Sequence, residues 1–135
     1  MTKKIVYQGE PGANSHIACK LFDSQLEPIA CSTFDHAFNE IISGNSDLGM
    51  IPIENSIAGR VADIHRLMPT SGLKIIGEYF LEIQHTLMGT KESSIESLNT
   101  VRSHEMALSQ CRNSIDILNI IPTVAADTAG SAREV

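Results

Sequence analysis

Short apolar runs alternate with stretches of helical period through residues 1–70, and few folds accept that alternation. Ile5 to Tyr7 is the first run, followed by the turn Gln8-Gly9-Glu10-Pro11-Gly12. Ile17, Ala18, Leu21 and Phe22 then share one helix face. Pro28 to Cys31 predicts a second strand. Phe34, Ala37, Phe38, Ile41 and Ile42 follow at i, i+3, i+4, i+7, i+8, the clearest amphipathic spacing in the chain. Ser32 is the expected cap of that helix, Asp35 suits its positive start, and Gly44 ends it. Leu48 to Ile53 predicts a third strand, and Val61, Ile64, Leu67 and Met68 a third helix. The order βαβαβα implies a parallel sheet with crossover helices.

Pro69-Thr70-Ser71-Gly72 reads as a break. Leu73 to Ile83 predicts a long extended segment interrupted at Gly77, of the kind that crosses between lobes. Gln84 to Met88 suggests another strand, Ser94 to Leu98 a short helix, and Thr100 to Arg102 a short strand. Leu108, Cys111, Ile115 and Leu118 lie at helical spacing, with Ser103 as the expected N-cap. Ile120 to Ala126 is a strand candidate containing Pro122. Asp127 to Ala132 opens a last helix. The expected domains are therefore an α/β lobe over 1–76 and a second over 77–135. That second lobe is expected to be incomplete, because Val135 falls about two turns into its last helix.

The chain's 42% hydrophobic residues suffice for a core, and its 4% aromatics with no Trp make that core aliphatic. A net charge of −6 with no basic block argues against nucleic acid as a partner. Ile5 to Gln8 is too short for a signal-peptide apolar region, and nothing approaches a membrane span. Cys19, Cys31 and Cys111 are odd in number, lack metal-type spacing and sit among apolar residues. They predict reduced core thiols in a cytoplasmic protein.

Three junctions place hydroxyls or amides at an expected helix start: Glu54-Asn55-Ser56, Ser103-His104-Glu105 and Asp127-Thr128-Ala129-Gly130-Ser131. Strand ends that open into helices lie at the carboxyl edge of a sheet, where open α/β folds bind ligands. Helix starts also favour anions. Hydrogen bonds to a charged ligand contribute about 1.5–3 kcal/mol each. Two such ends can hold a small acid at micromolar strength, which needs about 8 kcal/mol. Plain helix caps would read the same way. No Gly-x-Ser-x-Gly, phosphate-loop or dinucleotide motif occurs. His16, His36, His65, His85 and His104 form no recognisable metal set. The first three are expected on exposed helix faces and His85 in a strand core. His104 adjoins Ser103 and is a candidate contact.

Four segments resemble prephenate dehydratase: Tyr7-Gln-Gly-Glu-Pro-Gly-Ala-Asn-Ser15, Ile51-Pro-Ile-Glu-Asn-Ser-Ile-Ala-Gly59, Ser103-His-x-x-Ala-Leu-x-Gln-Cys111 and Asp127-Thr-Ala-Gly-Ser-Ala132. They stand in the family's order over essentially the whole chain. The resemblance implies two α/β lobes with an interlobe cleft, similar to type II periplasmic binding proteins. It implies decarboxylating dehydration of prephenate to phenylpyruvate in phenylalanine biosynthesis, with no metal or organic cofactor. It places Glu54, Asn55, Ser56, Ser103, His104, Gln110, Thr128 and Ala129 as substrate contacts. It also implies a homodimer or homotetramer. The family's Thr-Arg-Phe motif, whose Thr is taken as the main catalytic hydroxyl, and its regulatory ACT domain are expected beyond Val135. The 135-residue chain is therefore expected to be inactive alone. His104-Glu105-Met106 departs from the family's frequent His-Pro-Gln, and Glu105 adds a negative charge near an anion site. A small-carboxylate-binding or effector-sensing domain of the same architecture is the competing reading.

Overall fold

A computed structural model describes residues 1–57 and 59–135. Ala58, within the Ile51–Gly59 motif, lies outside the described residues. The contacts divide the chain into two compact units, Met1–Glu82 and Ile83–Val135. The division thus falls after Glu82 rather than after the expected Ile76. Both units are α/β.

In the first unit, β1 (Lys4–Gln8) is the middle strand of a parallel sheet, between β2 (Glu27–Cys31) and β3 (Leu48–Gly49). Ile5 stands level with Pro28 on one side and Leu48 on the other. Pro28 lacks a ladder donor and is tolerated because β2 is an edge strand. Ile5, Val6 and Tyr7 are all buried, so β1 is covered on both faces. Alternation then sorts its side chains. Ile5 and Tyr7 pack on Cys19 of α1 (Asn14–Phe22), whereas Val6 packs with Cys31 and with Ala37 of α2 (Phe34–Ile42). Burying Ile5 and Val6 contributes roughly 1.5–3 kcal/mol each. The residues that cap α2 lie one position later than expected. Thr33, not Ser32, accepts from the His36 N–H at 3.0 Å.

After β3 the chain departs from the expected strand-to-helix turn. Met50 N–H still donates to Val6 C=O at 2.9 Å, but Ile51 to Ile53 leave the sheet. β4 (Glu54–Asn55) then pairs antiparallel with β5 (Gly59–Arg60) as a small hairpin. Val61 N–H donates to Ile53 C=O at 3.0 Å and closes it. Only then does α3 (Ala62–Ser71) begin, beside α2, where Arg66 pairs with Asp35 at 3.3 Å. The break expected over residues 69–72 falls at the last residue of that stretch. Pro69 sits inside α3, which ends at left-handed Gly72 (φ 74°). Leu73 to Gly89 form no helix or strand, against the expected segments at 73–83 and 84–88. Ile75, Ile76 and Phe80 are exposed there. An apolar run becomes a strand only when a neighbour receives its backbone hydrogen bonds.

The second unit opens with a 3-10 turn at Ile95–Ser97, followed by β6 (Thr100–Ser103), α4 (Glu105–Gln110), α5 (Arg112–Leu118), β7 (Ile121–Val124) and α6 (Thr128–Glu134). β6 and β7 are parallel, with Ser103 level with Val124. Leu108, Ile115 and Ile120 are its buried core. The single helix expected from Leu108 to Leu118 is two, because the chain turns at Cys111. Left-handed Asn119 (φ 53°) ends α5. No helix among the described residues is long and apolar enough to cross a membrane.

Candidate functional site

The parallel pair of β6 and β7 orders the second unit's polar groups. Both strands run the same way, so both end at one edge, and α4 and α6 start just beyond that edge. Ser103 is the last residue of β6, and Thr128 is the first of α6. Ser103 Oγ donates to Thr128 Oγ1 at 3.2 Å, across 25 residues of sequence. Two motifs that looked separate therefore present a single pair of hydroxyls. One hydroxyl hydrogen of the pair is spent on this bond, which leaves the Thr128 hydrogen free to turn toward an acceptor.

Ser103 is released for this contact because it does not cap α4. It lies in the ladder, and His104 is the N-cap. His104 Nδ1 accepts from the Met106 N–H at 3.1 Å. The ring thus replaces the hydroxyl that sequence reasoning assigned to the cap. Glu105 follows in the first turn, exposed, where a carboxylate suits the helix start.

Asp127 fixes the other helix. Its carboxylate accepts from the Gly130 N–H, and its carbonyl accepts from Ser131 Oγ at 2.7 Å. Gly130 and Ser131 are buried and Ala129 half-buried beneath this start. Thr128 is thereby held by its own helix cap as well as by Ser103. Gln110 ends α4 and is joined to His85, whose Nε2 lies 2.8 Å from its Oε1. His85 is exposed, not a core residue as expected. Its partner lies 25 residues away in sequence, so no local pattern signals it.

In the first unit, Glu54 and Ser56 are exposed and Asn55 is half-buried. They do not open a helix, which corrects the expectation for that junction. Asn55 Oδ1 accepts from the Ile57 N–H at 2.9 Å, a turn made by an Asn side chain on its own backbone. Gly59, at φ 81°, supplies the left-handed residue that lets the hairpin return. His16 is half-buried, not on an open helix face. Its ring stacks on Tyr7 with centroids 5.1 Å apart, and its Nδ1 accepts from the Gly12 N–H at 2.8 Å. Burial, with Lys20 adding to it, lowers its pKa. Burial also raises the Tyr7 and Cys31 pKa values and pushes Cys19 up to about 11. All three cysteines are free, with Cys19 and Cys31 buried and Cys111 half-buried. No group of three His, Cys, Asp or Glu among the described residues is placed to hold a metal ion.

A family model described as prephenate dehydratase matches residues 5–135. A bifunctional N-acyl-homoserine lactone acylase/prephenate dehydratase of Komagataeibacter europaeus is 39% identical over 131 residues, 97% of this chain and 47% of that protein. An arogenate dehydratase/prephenate dehydratase of Arabidopsis thaliana is 34% identical over 132 residues, covering 98% of this chain and 35% of its own. The bifunctional chorismate mutase/prephenate dehydratase of Escherichia coli K12 is 31% identical over 112 residues, 80% of this chain and 29% of that protein. Among solved structures, a quorum-quenching acylase superposes with a TM-score of 0.85 at 38% identity, over 95% of this chain and 47% of that one. The prephenate dehydratase of Staphylococcus aureus shares the fold, with a TM-score of 0.81 at 24% identity, over 98% and 51%. The chain spans about half the length of these relatives, or less.

Proposed function

The chain belongs to the prephenate dehydratase family, and we propose that it carries substrate-binding groups of an enzyme converting prephenate to phenylpyruvate. Prephenate bears two carboxylates and a ring hydroxyl. Loss of the ring carboxylate as carbon dioxide drives aromatisation, and the hydroxyl must be hydrogen-bonded or protonated as it leaves. In this reading Ser103 and Thr128 bind a carboxylate, and Gln110 supplies amide donors to the same substrate. Glu54, Asn55, Ser56, His104 and Ala129 are further contacts, on the family motifs alone. The two units are the lobes of a periplasmic-binding-protein-like fold. The bond from Ser103 to Thr128 at the strand edge carries the reading, because it unites two of the family's motifs at one point.

Arogenate is the second candidate substrate, since plant relatives 34–35% identical to the chain are named arogenate dehydratases. The full-length gene product is offered prephenate and arogenate in turn. Binding is read as a rise in melting temperature, and conversion of prephenate as the alkaline absorbance of phenylpyruvate. A ligand at a hundred times its Kd adds about 2.7 kcal/mol of stability. Conversion supports the enzyme. Binding without conversion favours the effector-sensing domain, and failure to bind either compound overturns both.

A further inference from the structure

Gln110 raises a question its own motif does not answer. A glutamine amide presents an acceptor on one side and two donors on the other, and a half-turn about its last bond exchanges them. Only the donor side helps to hold a carboxylate. The backbone of Gln110 is fixed as the last residue of α4, but its amide is not fixed by the helix.

We propose that His85 is a positioning residue that sets the Gln110 amide with its two donors toward the substrate. His85 Nε2 lies 2.8 Å from Gln110 Oε1. A carbonyl oxygen can only accept, so the ring nitrogen donates and carries its hydrogen on Nε2. That bond occupies the acceptor side of the amide and leaves both Gln110 Nε2 hydrogens for another partner. Turning the amide would set its donors against the ring N–H, two donors facing each other, and the pair would bond again only if the ring moved its hydrogen to Nδ1. The preference operates whether the ring is neutral with hydrogen on Nε2 or fully protonated, since Nε2 donates in both forms. This role rests on the functional reading above, in which Gln110 supplies amide donors to the substrate.

His85 contributes nothing to the chemistry itself in this account. The Gln110 amide holds ground state and transition state alike, so its misorientation raises KM and leaves kcat unchanged. Four variants test the role in the whole protein: His85→Phe, His85→Gln, Gln110→Ala and the double variant His85→Phe/Gln110→Ala. Affinity for phenylpyruvate is measured alongside melting temperature. His85→Phe, which keeps a ring and loses the donor, lowers affinity about tenfold. His85→Gln restores a donor of similar reach and recovers most of that loss. In the Gln110→Ala background His85→Phe has no further effect. Nitrogen-15 spectra of the wild-type ring show its hydrogen on Nε2. Equal affinity for His85→Phe and wild type, an equal loss in both backgrounds, or a neutral ring with hydrogen only on Nδ1 overturns the positioning role while the functional reading stands. Failure of the wild-type protein to bind phenylpyruvate or prephenate overturns the functional reading and this role with it.

Discussion

Gly130 is the residue whose replacement most sharply tests how α6 is built. A Cβ placed there would meet Asp127 Oδ1 at 2.7 Å and Oδ2 at 2.9 Å. Oδ1 is the atom that caps α6 by accepting from the Gly130 N–H. Gly130→Ala therefore evicts the carboxylate. The lost cap costs about 1 kcal/mol, and the crowding of a buried start costs roughly 1–3 kcal/mol more. Against this stands a gain of up to about 1 kcal/mol from alanine's helix propensity. The net expectation is destabilisation of α6 by about 1–4 kcal/mol. With Asp127→Ala already in place there is no carboxylate to evict. Gly130→Ala then stabilises α6 by up to about 1 kcal/mol, so the pair couples by about 2–4 kcal/mol, at the upper end of what residues in contact show. Native-state hydrogen exchange of the α6 amides is the assay. Tyrosine fluorescence is blind to this region, since Tyr7 and Tyr79 both lie in the first unit and the chain has no Trp. Equal effects of Gly130→Ala in the two backgrounds would refute the account, as would stabilisation in the presence of Asp127. Because Thr128 opens the same helix, Gly130→Ala should also weaken phenylpyruvate binding.

Thr128→Val removes the free hydroxyl hydrogen and should lower carboxylate affinity about tenfold or more, the worth of one hydrogen bond to a charged group; titration calorimetry reads it. The His16 pKa is lowered in the fold, so the unfolded chain binds the proton more readily. Stability is fully present above about pH 6.5 and is lost as pH falls from there through the lowered folded value; urea midpoints at pH 7.5 and 5 should show the loss, and His16→Gln should remove it. A thiol reagent should label Cys111 quickly in the native protein and reach Cys19 and Cys31 only on unfolding, because burial raises both of their pKa values. Glu105→Gln should tighten anion binding about twofold at physiological salt. At roughly 8 Å a single charge pair is worth ~0.5 kcal/mol in water, and screening reduces the effect on a dianion to about that level.

The two periods of the first unit were legible because each is imposed by local geometry. Ile5, Val6 and Tyr7 form an unbroken apolar run, and β1 is covered on both faces. Phe34 to Ile42 keep their spacing because α2 buries Ala37 and Phe38. Legibility fell where one side chain serves two local structures. Asn55 reads as a helix cap, yet the same oxygen also closes a turn on its own backbone, and Gly59 at φ 81° decides for the hairpin. At Ser103 the hydroxyl suits a cap, but pairing with Val124 keeps the residue in the strand and passes the cap to His104. The apolar run from Leu73 fails as a strand for a related reason. A strand is completed by a neighbour, and that neighbour is not written in the run itself.

The candidate site follows the same division. Its residue types were legible one motif at a time, since a hydroxyl beside a helix start leaves a local signature. The bonds that make the motifs one surface leave none. Ser103 reaches Thr128, and Gln110 reaches His85, each across 25 residues. What brings Thr128 to Ser103 is the parallel register of β6 and β7, and that register is set by the burial of Leu108, Ile115 and Ile120 between strand and helix. The apolar core of the second unit therefore specifies its polar edge. A substitution such as Ile115→Ala, which touches no polar group of the site, should cost roughly 2–5 kcal/mol in a unit this small. It should also loosen the Ser103–Thr128 pair, and carboxylate affinity should fall with core stability even though every binding side chain is unchanged.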